Sequence, residues 1–80
     1  MLYVYPAIIH EETDGCWVEF PDLPGCQTCG STLETTLKLA SEALGLYLAN
    51  FQENGRQLPE PTPIREIAAD GCPVSYISAD

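Results

Sequence analysis

Eighty residues, 45% of them hydrophobic, suffice for one small domain with a modest core and argue against a disordered chain. Twelve acidic residues against three basic ones give a net charge of −9. That balance excludes functions that grip phosphates, because Lys38, Arg56 and Arg65 cannot build the basic stripe a nucleic-acid binder needs. It suits solubility, and equally a basic partner whose encounter is sped by complementary charge.

The run Leu2 to His10 is rich in β-formers, namely Tyr3, Val4, Tyr5, Ile8 and Ile9. Both of its faces are largely apolar, which predicts an interior or doubly covered strand. Pro6 cannot donate to a ladder and predicts a bulge or a missing bond. Glu11 to Gly15 is a turn, with Asp14-Gly15 as its hairpin signal. Cys16 to Phe20 forms a second strand, with Cys16, Val18 and Phe20 on one face and Trp17 and Glu19 on the other. Pro21-Asp22-Leu23-Pro24-Gly25 makes a tight connection to a short third strand, Cys26 to Cys29.

Ser31 is a good N-cap, and Glu34 completes a capping box. A helix from Thr32 to Asn54 follows, its apolar stripe running through Leu33, Leu37, Ala40, Leu44, Tyr47 or Leu48, and Phe51. Asn54-Gly55 stops it. Pro59, Pro61 and Pro63 form an extended linker. Ile64 to Ala69 is a short helical turn, and Cys72 to Ser78 a last strand. The expected fold is α+β, a single β-β-β-α-β domain. It is a partial ribonuclease H-like sheet with one long helix on one face, and its last strand lies parallel to the first and beside it.

No apolar run approaches the ~20 residues of a membrane span. The N-terminus lacks the basic region and cleavage site of a signal peptide. A cytoplasmic location with four free thiols is therefore expected. Cys26-Gln27-Thr28-Cys29 invites a redox or zinc reading. However, the helix begins only after Cys29, and a zinc site would have to recruit Cys16, Cys72 or His10 from irregular spacings. Ordinary thiols are the expectation, with no metal and no cofactor. His10, beside Glu11 and Glu12, is either a general acid–base or an exposed turn residue. The second reading is preferred, since no nucleophile partner presents itself. A ribonuclease H-like nuclease would need an acid on its first strand to hold metal, and Leu2 to Ile9 has none. No catalytic residue is assigned. Trp17 either packs on Tyr3 or Tyr5 or anchors a partner.

Several stretches together resemble the HicB-like antitoxin family. They are Tyr5-Pro6-Ala7-Ile8-Ile9, then Cys16 through Cys26 with its Phe-Pro-Asp-Leu-Pro-Gly-Cys run. Ser31-Thr32-Leu33-Glu34 opening the helix, Ala43-Leu44, Tyr47-Leu48, Asn54-Gly55 and Leu58-Pro59-Glu60-Pro61 complete the set. The resemblance implies a pared-down ribonuclease H fold without nuclease activity. It also implies a role in neutralising HicA, a small basic ribonuclease toxin that cleaves messenger RNA, by covering its active site. Many members carry a C-terminal DNA-binding domain that represses their operon. Residues 1–80 correspond to the N-terminal domain, so autorepression by this chain alone is not expected. The expected partner-binding residues are Trp17 as the aromatic anchor, with Glu19, Asp22, Glu11, Glu12 and Asp14 supplying charge. A homodimer or higher oligomer is expected, with no membrane and no direct nucleic-acid binding. The alternative function is a stand-alone oligomeric domain with another protein partner and no toxin.

Overall fold

The computed structural model describes residues 2–80. Strand β1 spans Tyr3–Glu12, β2 Gly15–Glu19, β3 Gln27–Gly30 and β4 Val74–Ala79. Helix α1 runs Leu33–Glu53, and a single 3₁₀ turn covers Ile64–Glu66. The element order is therefore β-β-β-α-β, as the residue pattern predicts. The sheet order is β3-β2-β1-β4, with every neighbouring pair antiparallel.

β1 is an interior strand, and its stretch Tyr5 to Ile9 is buried throughout. Its ladder with β4 continues through Pro6, opposite Tyr76, without a bulge. The reason lies in the alternation of the backbone. The Ile9 N–H donates to Pro73 O on the β4 side, so even-numbered residues turn their nitrogens the other way. There the ladder to β2 begins only at Ile8↔Glu19. Pro6 thus lacks its N–H where no strand would accept it.

The expected parallel β4 is a correction. α1 starts beside the β1–β2 hairpin and ends near the start of β1, where Gln52 Nε2 donates to the Tyr3 hydroxyl. A strand entered directly from there would run parallel to β1. The proline-rich segment instead carries the chain back across the sheet. Tyr5 donates to Pro59 O (2.5 Å), Asp22 accepts from Thr62 N (2.9 Å) and Oγ1 (2.5 Å), and Pro73 O accepts from Ile9 N. Two crossings in place of one reverse β4. The direction departs from the parallel arrangement expected of the ribonuclease H-like reading. Burial first, then the Asp22 and Glu60 carboxylates, raises the Tyr5 pKa, which keeps this hydroxyl a donor.

The core lies between α1 and one sheet face. Tyr5, Ala7, Ile9, Val18, Phe20, Leu23, Cys26, Ile77 and Ala79 meet Ala40, Leu44 and Leu48. Phe51 is half-buried, with Tyr47 stacked on one side (5.1 Å) and the Arg56 guanidinium over its ring (4.2 Å). Leu33, expected on the apolar stripe, is 42% exposed. Its place is taken by Thr36, which is fully buried. The capping residue also shifts by one. Thr32, not Ser31, is the N-cap, its Oγ1 accepting from Thr35 N (3.1 Å), and Glu34 remains in the first turn. Thr36 accounts for this register. Its hydroxyl donates to Thr32 O (2.7 Å) and accepts from the Cys16 thiol (2.9 Å), tying the helix start to β2. At the other end, Gly55 at φ 68° closes the helix, its N–H reaching Gln52 O and that of Arg56 reaching Phe51 O.

Gly30 makes the Thr36 contact possible. A Cβ there would lie 2.7 Å from Thr36 Oγ1 and 3.2 Å from its backbone nitrogen. Gly30→Ala is therefore expected to destabilise the domain by about 1–3 kcal/mol through overpacking. Urea unfolding measures this, and a change below about 0.5 kcal/mol would contradict the close approach.

Candidate functional site

The sheet face opposite α1 carries Pro6, Ile8, His10 and Glu12 from β1. Trp17 and Glu19 project from β2, Gln27 and Cys29 from β3, and Val74 and Tyr76 from β4. Pro6 and Ile8 are buried there without a helix above them. The returning segment 59–73 is tied at Asp22 and at His10, and Ile64 and Ile67 along it are half-buried.

His10 is the residue that the sequence reading misplaces. It is not an exposed turn residue but a half-buried strand residue paired with Trp17, because β1 extends two residues beyond it. Its ring stacks on Trp17 at 4.0 Å between centroids and 11° between planes. Its Nε2 lies 2.5 Å from Glu19 Oε2, and its Nδ1 lies 3.5 Å from Cys72 Sγ. Trp17 therefore packs on His10 rather than on Tyr3 or Tyr5. Extending the alternation from Ile8 to Glu12 is the signal that would have placed His10 on the Trp17 face.

The turn itself consists of Thr13-Asp14, and Gly15 is already a strand residue paired with Glu12. A Cβ on Gly15 would sit 2.5 Å from Gly30 O. The hairpin tip and β3 thus approach closely, leaving a groove of about 470 Å³ lined by Glu12, Asp14, Trp17 and Cys29. A second, smaller groove of about 330 Å³ runs along Trp17, Gln27, Thr28 and Cys29. Trp17 is half-buried between the two.

The six expected partner-binding residues are only partly gathered. Trp17, Glu12 and Asp14 border one groove. Glu19 lies next to them on the same face but holds His10. Glu11 turns to the opposite side, toward Ser31 and Thr32 at the start of the helix. Asp22 has both carboxylate oxygens engaged by Thr62 and fastens the returning segment. The two cysteines of the Cys-x-x-Cys run separate. Cys26 lies in the core, its thiol pushed up to about 11 by burial, whereas Cys29 is exposed beside Trp17. They form no common ligand pair, and among the described residues no three His, Cys, Asp or Glu side chains are placed to hold one metal ion. No helix of the described residues is long and apolar enough to cross a membrane.

Residues 5–72 match the family model of the HicB-like antitoxin of bacterial toxin–antitoxin systems. The chain is 33% identical over 75 residues to Antitoxin HicB 1 of Photorhabdus laumondii, covering 92% of this chain and 48% of that protein. Among solved structures, it resembles a chain of a toxin–antitoxin complex from Streptococcus pneumoniae at a TM-score of 0.87 and 27% identity. That likeness covers 100% of this chain and 70% of the other. It also resembles a chain of the HicA3 and HicB3 toxin–antitoxin complex, at 0.76 and 28%, covering 98% and 99%. The chain spans about half the length of the curated relatives it matches. The sequence match over most of the domain and the shared α+β architecture agree, and the chain belongs to the HicB-like antitoxin family.

Proposed function

We propose that this domain binds a small basic ribonuclease of the HicA type and neutralises it by covering its active site. The observation that carries the reading is the half-buried Trp17 between two grooves, flanked by Glu12 and Asp14 on a chain of net charge −9. The similarity to toxin–antitoxin complexes supports it. A toxin that handles messenger RNA presents cationic side chains, and an acidic surface with an aromatic anchor is complementary to them. In this reading Trp17 contributes buried contact area, and Glu12, Asp14 and Glu19 contribute charge on its face, with Glu11 adding charge from the other side of the same hairpin. Asp22 acts indirectly, by holding the segment that backs the face.

The domain acts in the cytoplasm as a binding protein and not as an enzyme, and it neither binds DNA at physiological salt nor cleaves RNA with magnesium present. Sub-micromolar DNA binding, or cleavage lost on mutating one carboxylate, would overturn that part. It also self-associates. β4 is an outer strand whose six residues, Val-Ser-Tyr-Ile-Ser-Ala, include no charge and no proline to blunt the edge. Pairing of β4 with a second copy gives a two-fold dimer, and sedimentation showing only monomer at micromolar concentration would exclude it.

The interface is tested by kinetics against a HicA-type ribonuclease, sought first in the reading frames next to the one that encodes this chain. Neutralising Glu11, Glu12 and Asp14 together (to Gln, Gln and Asn) is expected to lower the association rate about tenfold at low salt. Added salt should slow the parent in the same way and the variant much less. Tight binding indifferent to both changes would place the interface elsewhere. Absence of any basic partner would leave the stand-alone oligomer as the function.

A further inference from the structure

We propose that Cys72 is an activated thiol, a modification site for low-molecular-weight disulfides, with His10 as its general base and Glu19 as the residue that positions His10. The proposal stands independently of the partner reading, because it concerns three side chains already in contact within one chain.

The protonation pattern follows from the contacts. Glu19 Oε2, 2.5 Å from His10 Nε2, is a carboxylate oxygen and can only accept, so Nε2 carries the ring proton. In a neutral imidazole the other nitrogen is then an acceptor. That nitrogen, Nδ1, faces Cys72 Sγ at 3.5 Å, so the thiol donates to it. Thiol, imidazole and carboxylate therefore stand in line in the order nucleophile, base and orienting group. Trp17, stacked on the ring at 4.0 Å, restricts its rotation and keeps Nδ1 on the sulfur.

The other three cysteines differ from Cys72 in a way that makes the assignment specific. Cys16 is buried and donates to Thr36. Cys26 is buried, and burial pushes its thiol up to about 11. Cys29 is exposed, and among the described residues the histidine nitrogen meets Cys72 rather than it. Exposure alone would make Cys29 the reactive thiol; the imidazole makes it Cys72, which is half-buried rather than sealed in the core.

The step balances as thiol–disulfide exchange. As the Cys72 sulfur attacks one sulfur of the reagent, its proton passes to His10 Nδ1. A mixed disulfide forms at Cys72, the reagent's S–S bond breaks, and its other half leaves as a thiolate that takes the proton back from His10 Nδ1 and departs as the free thiol, restoring the neutral ring.

Brief exposure of the protein to oxidised glutathione at pH 7, followed by peptide mass spectrometry, tests the proposal. Each cysteine's rate in the folded protein is divided by its rate in denaturant, which removes intrinsic differences. The Cys72 ratio is expected to exceed that of Cys29 by about tenfold or more, short of the roughly hundredfold or greater effect of a positioned base because Cys72 is half-buried. In His10→Gln it should fall to the Cys29 level, with Cys29 unchanged as an internal control of folding. Trp17 emission should shift in step with the Cys72 adduct, since the adduct displaces the ring on which the indole stacks. A parent in which Cys29 reacts as fast as Cys72 overturns the assignment even if the variant fails to fold. So does a folded His10→Gln protein whose Cys72 keeps its advantage.

Discussion

Leu44→Ala is expected to destabilise the domain by about 2–5 kcal/mol, a large share of the ~5–15 kcal/mol that holds a typical domain folded. Leu44 is fully buried in the middle of α1, one turn from Ala40 and one from Leu48, against the inner sheet face. Truncation removes apolar contact and leaves a cavity that the sheet and helix, tied together at Thr36, cannot readily collapse. Leu46→Ala is the control. That side chain is 75% exposed, and its loss should change stability by no more than about 0.5 kcal/mol. Urea unfolding of both variants measures the contrast. Equal effects would mean that the helix turns a different face to the sheet.

Trp17→Ala should weaken binding to the HicA-type partner by about 2 kcal/mol, seen as a roughly 30-fold faster release. The indole is already stacked on His10, so its orientation is set before the partner arrives and little side-chain freedom is left to lose on binding. The association rate should change far less, since encounter is governed by the acidic residues around it. Surface-based kinetics, with circular dichroism as a check that the variant is folded, separate the two rates. Release within twofold of the parent would remove Trp17 from the interface and leave it as a packing partner of His10.

Features carried by near neighbours in the chain are legible from residue order. The β1–β2 hairpin, the alternation that sends Val18 inward and Trp17 outward, and the Asn54-Gly55 stop all follow from local chemistry. Leu44 at the centre of the helix's apolar stripe is legible for the same reason. Features that depend on distant contacts are not. Between Ser31 and Thr32 as the cap, local preference is nearly even, and the choice falls to Thr36 because it must meet Cys16 twenty residues earlier. Asp22 reads as a surface charge until Thr62, forty residues on, closes over it. The direction of β4 depends on the course of segment 59–73, whose prolines specify extension but not heading. His10 required both faults to be mended at once: a strand two residues longer than the turn signal suggested, and a returning chain that brings Cys72 against it.

The β1–β4 pairing bears on the order in which the molecule can assemble. Ile8 and Val74 are 66 residues apart, and Tyr3 and Ala79 are 76 apart. The hairpin, β3 and α1 can form from contacts much closer in sequence, so docking of β4 closes the longest loop in the domain and is the slow event. Until Val74–Ala79 has been synthesised and seated, the interior strand β1 is an outer one, with Tyr5 to Ile9 flanked on one side by nothing. A nascent chain at that stage offers an apolar, unpaired edge to any other nascent chain. Substitutions that weaken β4 docking, such as Ile77→Ala, should therefore lower soluble yield more than their cost in equilibrium stability suggests.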